Sequence, residues 1–133
     1  MHFKFLFILL VLIKNSYNFY DRTPLKVLER RIRRNIFEPQ KKYSQQLLLD
    51  TFKYEIYLDD ILEHLENNNT DGLKMLKKIG RDGPQYFSIN YNLTMLQQVY
   101  RWTEDDSEEF EVYIINAKKI WNSIKTNYNH LLR

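Results

Sequence analysis

The chain has 133 residues, with twenty Lys/Arg, seventeen Asp/Glu and no cysteine. That length makes one domain the expectation. The lack of cysteine excludes disulfides, thiol nucleophiles and thiolate metal sites. The formal charge of +3 is unevenly spread: residues 19–42 hold eight Lys/Arg against three Asp/Glu, and residues 43–133 hold ten against fourteen.

The chain opens MHFKFLFILLVLIKNS. Lys4 precedes an apolar run from Phe5 to Ile13, which Lys14, Asn15 and Ser16 end. A positive start, a short apolar stretch and a polar exit are the layout of a secretory signal peptide, and residues 1–18 are read as one. The run is shorter than the roughly 20 residues that a membrane-spanning helix needs. It lacks an A-x-A-like cleavage pattern, Ser16 being the one small residue at its end.

Residues 19–42 form a basic arm. Thr23 is placed to cap a helix and Pro24 to begin it. Leu25, Leu28 and Ile32 follow at helical spacing, with Arg30, Arg31, Arg33 and Arg34 among them, and Pro39 ends the run. Residues 43–133 are expected to form a helical bundle, its first helix reaching back to about Gln40. That helix runs to Glu66 on a stripe of Leu47, Thr51, Tyr54, Leu58, Ile61 and Leu65. Asn67 to Gly72 reads as a turn. Thr70 is expected to cap a short helix with Leu73, Leu76 and Ile79 on one face, closed by Gly80. After a turn at residues 81–84, a continuous third helix is expected over Gln85–Thr103, with Ile89, Leu93, Leu96 and Tyr100 in register. Residues 104–109 read as an acidic connection. The last helix, from Ser107 to Leu132, places Phe110, Ile114, Ala117, Trp121, Ile124, Tyr128 and Leu131 at seven successive a/d positions. No strand-like alternation or internal repeat is present. The expected fold is all-α, a small antiparallel bundle of about four helices behind the leader and the basic amphipathic arm.

Reaction chemistry is sparse, and no enzyme is expected. The chain has neither a glycine-rich phosphate loop nor a G-x-S-x-G turn, and no cofactor or catalytic residue is assigned. Asp60 and His64 share a helix face beside Glu63, which is half of a metal or acid–base site at most. The spacing is not the E-x-x-H of di-iron bundles, and the plain reading is a solvated helix face with an i,i+4 pair. No metal is assigned.

The arginines of the arm are the better candidates. Arg30, Arg31, Arg33 and Arg34 would bind an acidic protein partner or a multi-subunit complex, or an anionic membrane surface. The plain alternative is a docking helix whose arginines pair with the chain's own acidic body. Two further readings concern processing: Arg31-Ile32-Arg33-Arg34 has the R-x-R-R form cut by proprotein convertases, and the arm could be the second half of a bipartite leader. Twenty Tyr, Phe and Trp residues would suit base stacking. Most lie on the helical stripes, however, and the acidic body repels phosphate, so nucleic acid is not an expected partner. Asn68-Asn69-Thr70 is a glycosylation sequon in a turn, which makes Asn68 a candidate modification site. Asn92-Leu93-Thr94 falls inside a predicted helix. Phe52, Tyr57, Trp102 and Trp121 are candidates to face a neighbouring subunit.

One alanine against twelve asparagines, twelve lysines and ten tyrosines points to an AT-rich genome, and the composition resembles that of malaria-parasite proteins. In outline, a leader, a basic segment and a helical body resemble the PsbQ-type bundles of the plastid lumen. A secretory leader followed by a basic segment is similar to the bipartite address of apicomplexan plastids. The first resemblance implies a lumenal subunit and the second an apicoplast destination. Secreted parasite effectors are the rival comparison, although Lys26-Val27-Leu28-Glu29-Arg30 does not meet their R-x-L-x-E/D/Q export motif. The final compartment on this reading is extracellular, vacuolar or plastid, reached through the secretory pathway.

Overall fold

The computed structural model describes residues 23–132; the signal-peptide reading of 1–18 lies outside them. The described residues are all-helical, with five α-helices and no strand. The helices are α1 (Leu25–Phe37), α2 (Ser44–Glu66), α3 (Thr70–Ile79), α4 (Leu93–Tyr100) and α5 (Glu104–Tyr128). Short 3-10 turns occupy Lys41–Tyr43, Gln85–Ser88 and Asn129–Leu132. No helix among the described residues is long and apolar enough to cross a membrane.

The framework is α2 packed along α5, with α3 and α1 also lying on α2. Leu47, Leu58 and Ile61 of α2 meet Phe110, Ile114, Ala117, Trp121 and Ile124 of α5 in one apolar cluster. The first five a/d positions of α5 are buried, while Tyr128 and Leu131 are half-buried at its edge. Leu25, Leu28, Ile32 and Ile36 of α1 belong to the same cluster. The apolar face of α1 is therefore part of the core.

Capping explains where the elements depart from the periodicity. Helix α1 starts at Leu25, with Pro24 as its N-cap and no side-chain cap. The Gln40–Glu66 stretch opens as a 3-10 turn and becomes α-helical at Ser44. Asn69, not Thr70, caps α3, its side chain accepting from the Asp71 N–H. The continuous helix expected over Gln85–Thr103 is broken. A 3-10 turn ends at Ser88, and the Asn92 side chain accepts from the Met95 N–H to start α4 afresh. Asparagine competes with the helix ladder for backbone donors, so Asn90 and Asn92 favour a restart. The acidic connection proves to be the first turn of α5: Thr103 and Asp106 form a reciprocal capping box, and carboxylates there complement the helix dipole.

The aromatics expected at a subunit surface turn inward. Phe52, Trp102 and Trp121 are buried, and Tyr57 packs half-buried on the cluster. Trp102 follows Arg101, which ends α4 in the left-handed region at φ 54°. That turn swings the indole against Tyr100 and Phe110, and its Nε1 donates to Ser44 Oγ at 2.9 Å. Among the described residues the most exposed large apolar side chains are instead Phe37, Leu49, Val112 and Ile115.

The turn after α3 depends on Gly83. Its φ is +77°, and a Cβ there would lie 2.5 Å from the Trp121 ring. Gly83→Ala therefore incurs both the left-handed penalty, about 1–2 kcal/mol, and overpacking against a buried indole, about 1–3 kcal/mol. The expected loss is about 3 kcal/mol in a urea melt, accompanied by a shift in tryptophan emission. An unchanged midpoint would mean that the indole can move aside freely.

Candidate functional site

The apolar stripe of α1 fixes the direction of every other residue on it. With Leu28 and Ile32 fully buried, Lys26, Arg30, Arg33, Arg34 and Phe37 are exposed. Arg31 is only 28% exposed and points to α2. Its Nη2 lies 2.8 Å from Asp50 Oδ1 and its Nε 3.1 Å from Asp50 Oδ2, a two-pronged ion pair with a fully buried carboxylate. Gln46 Nε2 donates to the same Oδ1 at 2.8 Å. The four arginines thus separate into one internal anchor and three surface cations.

Two of the surface cations are braced by rings. The Arg33 guanidinium sits 5.6 Å from the Phe37 centroid, and its Nη1 reaches Gln85 Oε1 at 3.5 Å. Arg34 lies 5.1 Å from the Tyr43 ring, which also takes Lys42 at 5.1 Å. Each contact is worth about 0.5–1 kcal/mol at an exposed site, enough to narrow the rotamers without neutralising the charge. Beside Arg33 lies a cleft of about 600 Å³, lined by Phe87 and Trp121 and edged by Lys125 and Asp82.

Inside this face, Glu29 Oε1 accepts from the Tyr54 hydroxyl at 2.7 Å, and Tyr54 packs edge-on to Tyr86. Burial raises the Glu29 carboxyl above its ordinary 4.5, outweighing the Tyr54 hydrogen bond and Lys26, which both lower it. Burial likewise raises the phenols of Tyr54, Tyr57 and Tyr86. Glu29 therefore holds its proton more tightly in the folded state than in the unfolded one. Its contribution to stability is intact below pH 4.5 and falls as pH rises from there through the folded value. Glu109 acts with the same sign, raised first by burial and then by Asp106 and Asp105. Glu29→Gln keeps an acceptor for Tyr54 and is expected to flatten the decline in urea midpoint between about pH 4.5 and neutrality. An unaltered slope would remove Glu29 as its source.

Asp60 and His64 are half-buried and Glu63 is exposed on α2. His64 Nδ1 lies 3.2 Å from Asn69 Nδ2, and a Cβ on Gly72 would come within 2.9 Å of His64 Cβ. The histidine thus sits at the close crossing of α2 and α3. Among the described residues no group of three or more His, Asp or Glu is gathered in a way that could hold a metal. Asn68 is exposed in the turn before α3 at φ 54°, and Asn92 is occupied as a cap. The R-x-R-R run is helical, with Ile32 buried and Arg31 held by Asp50, so the extended backbone a protease takes is not presented by the folded chain.

Several participants were not apparent from sequence. Asp50, Tyr43 and Gln85 approach α1 from elsewhere in the chain, and Lys125 lines the cleft beside Arg33. The available signal for Asp50 was an acidic residue lying between apolar Leu47, Leu48 and Tyr54 on a stripe that must face inward. The site defines a helical protein with a rigid basic face. The chain matches no family model, no curated protein and no solved structure.

Proposed function

We propose that this protein is a non-catalytic docking subunit: a small antiparallel helical bundle of the secretory or endomembrane route that engages an acidic protein surface through α1. The observation that supports this reading most strongly is the split of the arginines. Arg30, Arg33 and Arg34 project together from a helix whose opposite face is locked in the core, while Arg31 is consumed internally. A basic face on a rigid element binds without having to order itself first, which lowers the cost of association. It also steers an acidic partner electrostatically.

The test replaces Arg30, Arg33 and Arg34 with serine and leaves Arg31 intact. Recovery of the partner complex in a quantitative pull-down from native cells is expected to fall about tenfold or more, while the thermal midpoint stays close to wild type. Equal recovery would overturn the reading. Vesicles containing anionic lipid are the control. Loss of vesicle binding with intact complex recovery would assign the arginines to a membrane surface instead.

A further inference from the structure

We propose that the acidic surface met by α1 is a second copy of this chain, seated in the groove between α4 and the N-terminal half of α5. The inference rests on the docking role of α1. The groove has a volume of about 450 Å³, and Leu93, Val112 and Ile115 line it together with the carboxylates of Glu104, Asp105, Glu108 and Glu111. Among the described residues no lysine or arginine lines it. Positions 104, 108, 111, 112 and 115 fall on one face of α5. That face is turned away from the stripe of Phe110, Ile114 and Ala117 that fills the core.

The acidic lining is more than a helix-end effect. Carboxylates in the first turn, Glu104 to Asp106, are favoured by the helix dipole, but that benefit fades beyond one turn. Glu108 and Glu111 lie past it. They also stand beside Val112 and Ile115, which are 39% and 46% exposed. A groove lined by apolar side chains and carboxylates calls for an apolar residue flanked by cations.

Helix α1 carries such a residue. Phe37 is the most exposed large apolar side chain among the described residues, at 55%. The Arg33 guanidinium lies over its ring, and Arg34, Lys41 and Lys42 are exposed around the same end of the helix, outnumbering the single exposed carboxylate there, Glu38. Knob and groove together use three of the four large apolar residues that are exposed among the described residues. Docking them would pair opposite charges and remove apolar surface, the arrangement of a specific interface. Joining unlike surfaces gives either a reciprocal pair or a head-to-tail series, and sedimentation distinguishes the two.

The experiment is sedimentation of the full-length chain over a range of concentrations at low and high salt. Wild type is expected to self-associate and to weaken with salt. Glu108→Lys with Glu111→Lys, and separately Arg33→Glu with Arg34→Glu, should each weaken association about tenfold or more. A chain carrying all four changes should regain it, because the charges are exchanged rather than lost. Thermal melts confirm that each variant is folded; if the arginine pair fails that check, Phe37→Ser removes the knob instead. A monomeric wild type, or association indifferent to these changes, overturns the inference. If the serine variant still loses its partner in the pull-down, the docking role stands without self-pairing. If pull-down recovery is also unchanged, both fall.

Discussion

A fragment beginning at Tyr43 is expected to lose cooperative folding. Removing α1 uncovers the surfaces of α2 and of the Gln85–Ser88 turn on which it packs. Burial of Leu25, Leu28, Ile32 and Ile36 contributes about 1.5–3 kcal/mol each, or about 6–12 kcal/mol in all. Deletion also returns the conformational entropy of the helix, so the net loss is smaller than that total. Whole domains, however, are stable by only about 5–15 kcal/mol. The fragment also keeps Asp50 without Arg31, and Tyr54 without Glu29. The expected product retains helical circular dichroism, binds hydrophobic dye and melts without a sharp transition. A cooperative melt within a few degrees of the full-length chain would show that α1 is dispensable. The outcome bears on processing. If the fragment cannot fold, removal of the basic segment as a transit peptide or after Arg34 would destroy the core, so the face proposed for docking must remain in the mature protein.

The reason α1 could be mistaken for an appendage lies in its composition. Its charge differs from that of the rest of the chain, and charge is the most visible property of a sequence. Yet Leu25, Leu28 and Ile32 were legible as a helical stripe, and a stripe needs something to cover it. The long helices were legible for the same reason: α5 carries an unbroken a/d pattern, and α2 an apolar face wide enough to take neighbours. Boundaries were legible only where a cap has a single reading. Thr103 with Asp106 spells a capping box in the sequence, but the surrounding acidic run hid it. The restart at Asn92 was obscured because Ile89 and Leu93 keep helical spacing across a break. Asn35 shows the limit of polarity as a guide. It is fully buried in α1, and neither side-chain polar atom has a hydrogen-bond partner among the described residues, so no rule of polar-outside would place it there. The division of the arginines was legible only in part: the stripe of Leu25, Leu28 and Ile32 sets the helix rotation, but nothing local names Asp50, nineteen positions away, as the partner of Arg31.

That division carries the second large expected effect. Arg31→Ala should destabilise the protein by about 3–5 kcal/mol, the cost of stranding one member of a buried ion pair. The Asp50 carboxylate is wholly buried and would keep only the Gln46 amide as a partner among the described residues. For a domain of this size the thermal midpoint should fall by well over about 10 °C. Arg31→Lys should recover part of the loss at most, because an ammonium cannot reproduce the two-pronged fit to Oδ1 and Oδ2. The double change Arg31→Met with Asp50→Leu removes both charges. It is expected to lie closer to wild type than Arg31→Ala, since the penalty comes from the orphaned charge rather than from a missing attraction. By contrast, Arg33→Ala should change stability by no more than about 0.5–1 kcal/mol, the scale of its exposed ring contact. Urea melts of the four variants check the series. Equal losses at positions 31 and 33 would refute the split between anchor and surface. The same contrast governs how function is tested. A variant with all four arginines replaced would lose its partner through unfolding as readily as through lost contacts. Only with Arg31 retained does loss of binding report on the face that α1 presents.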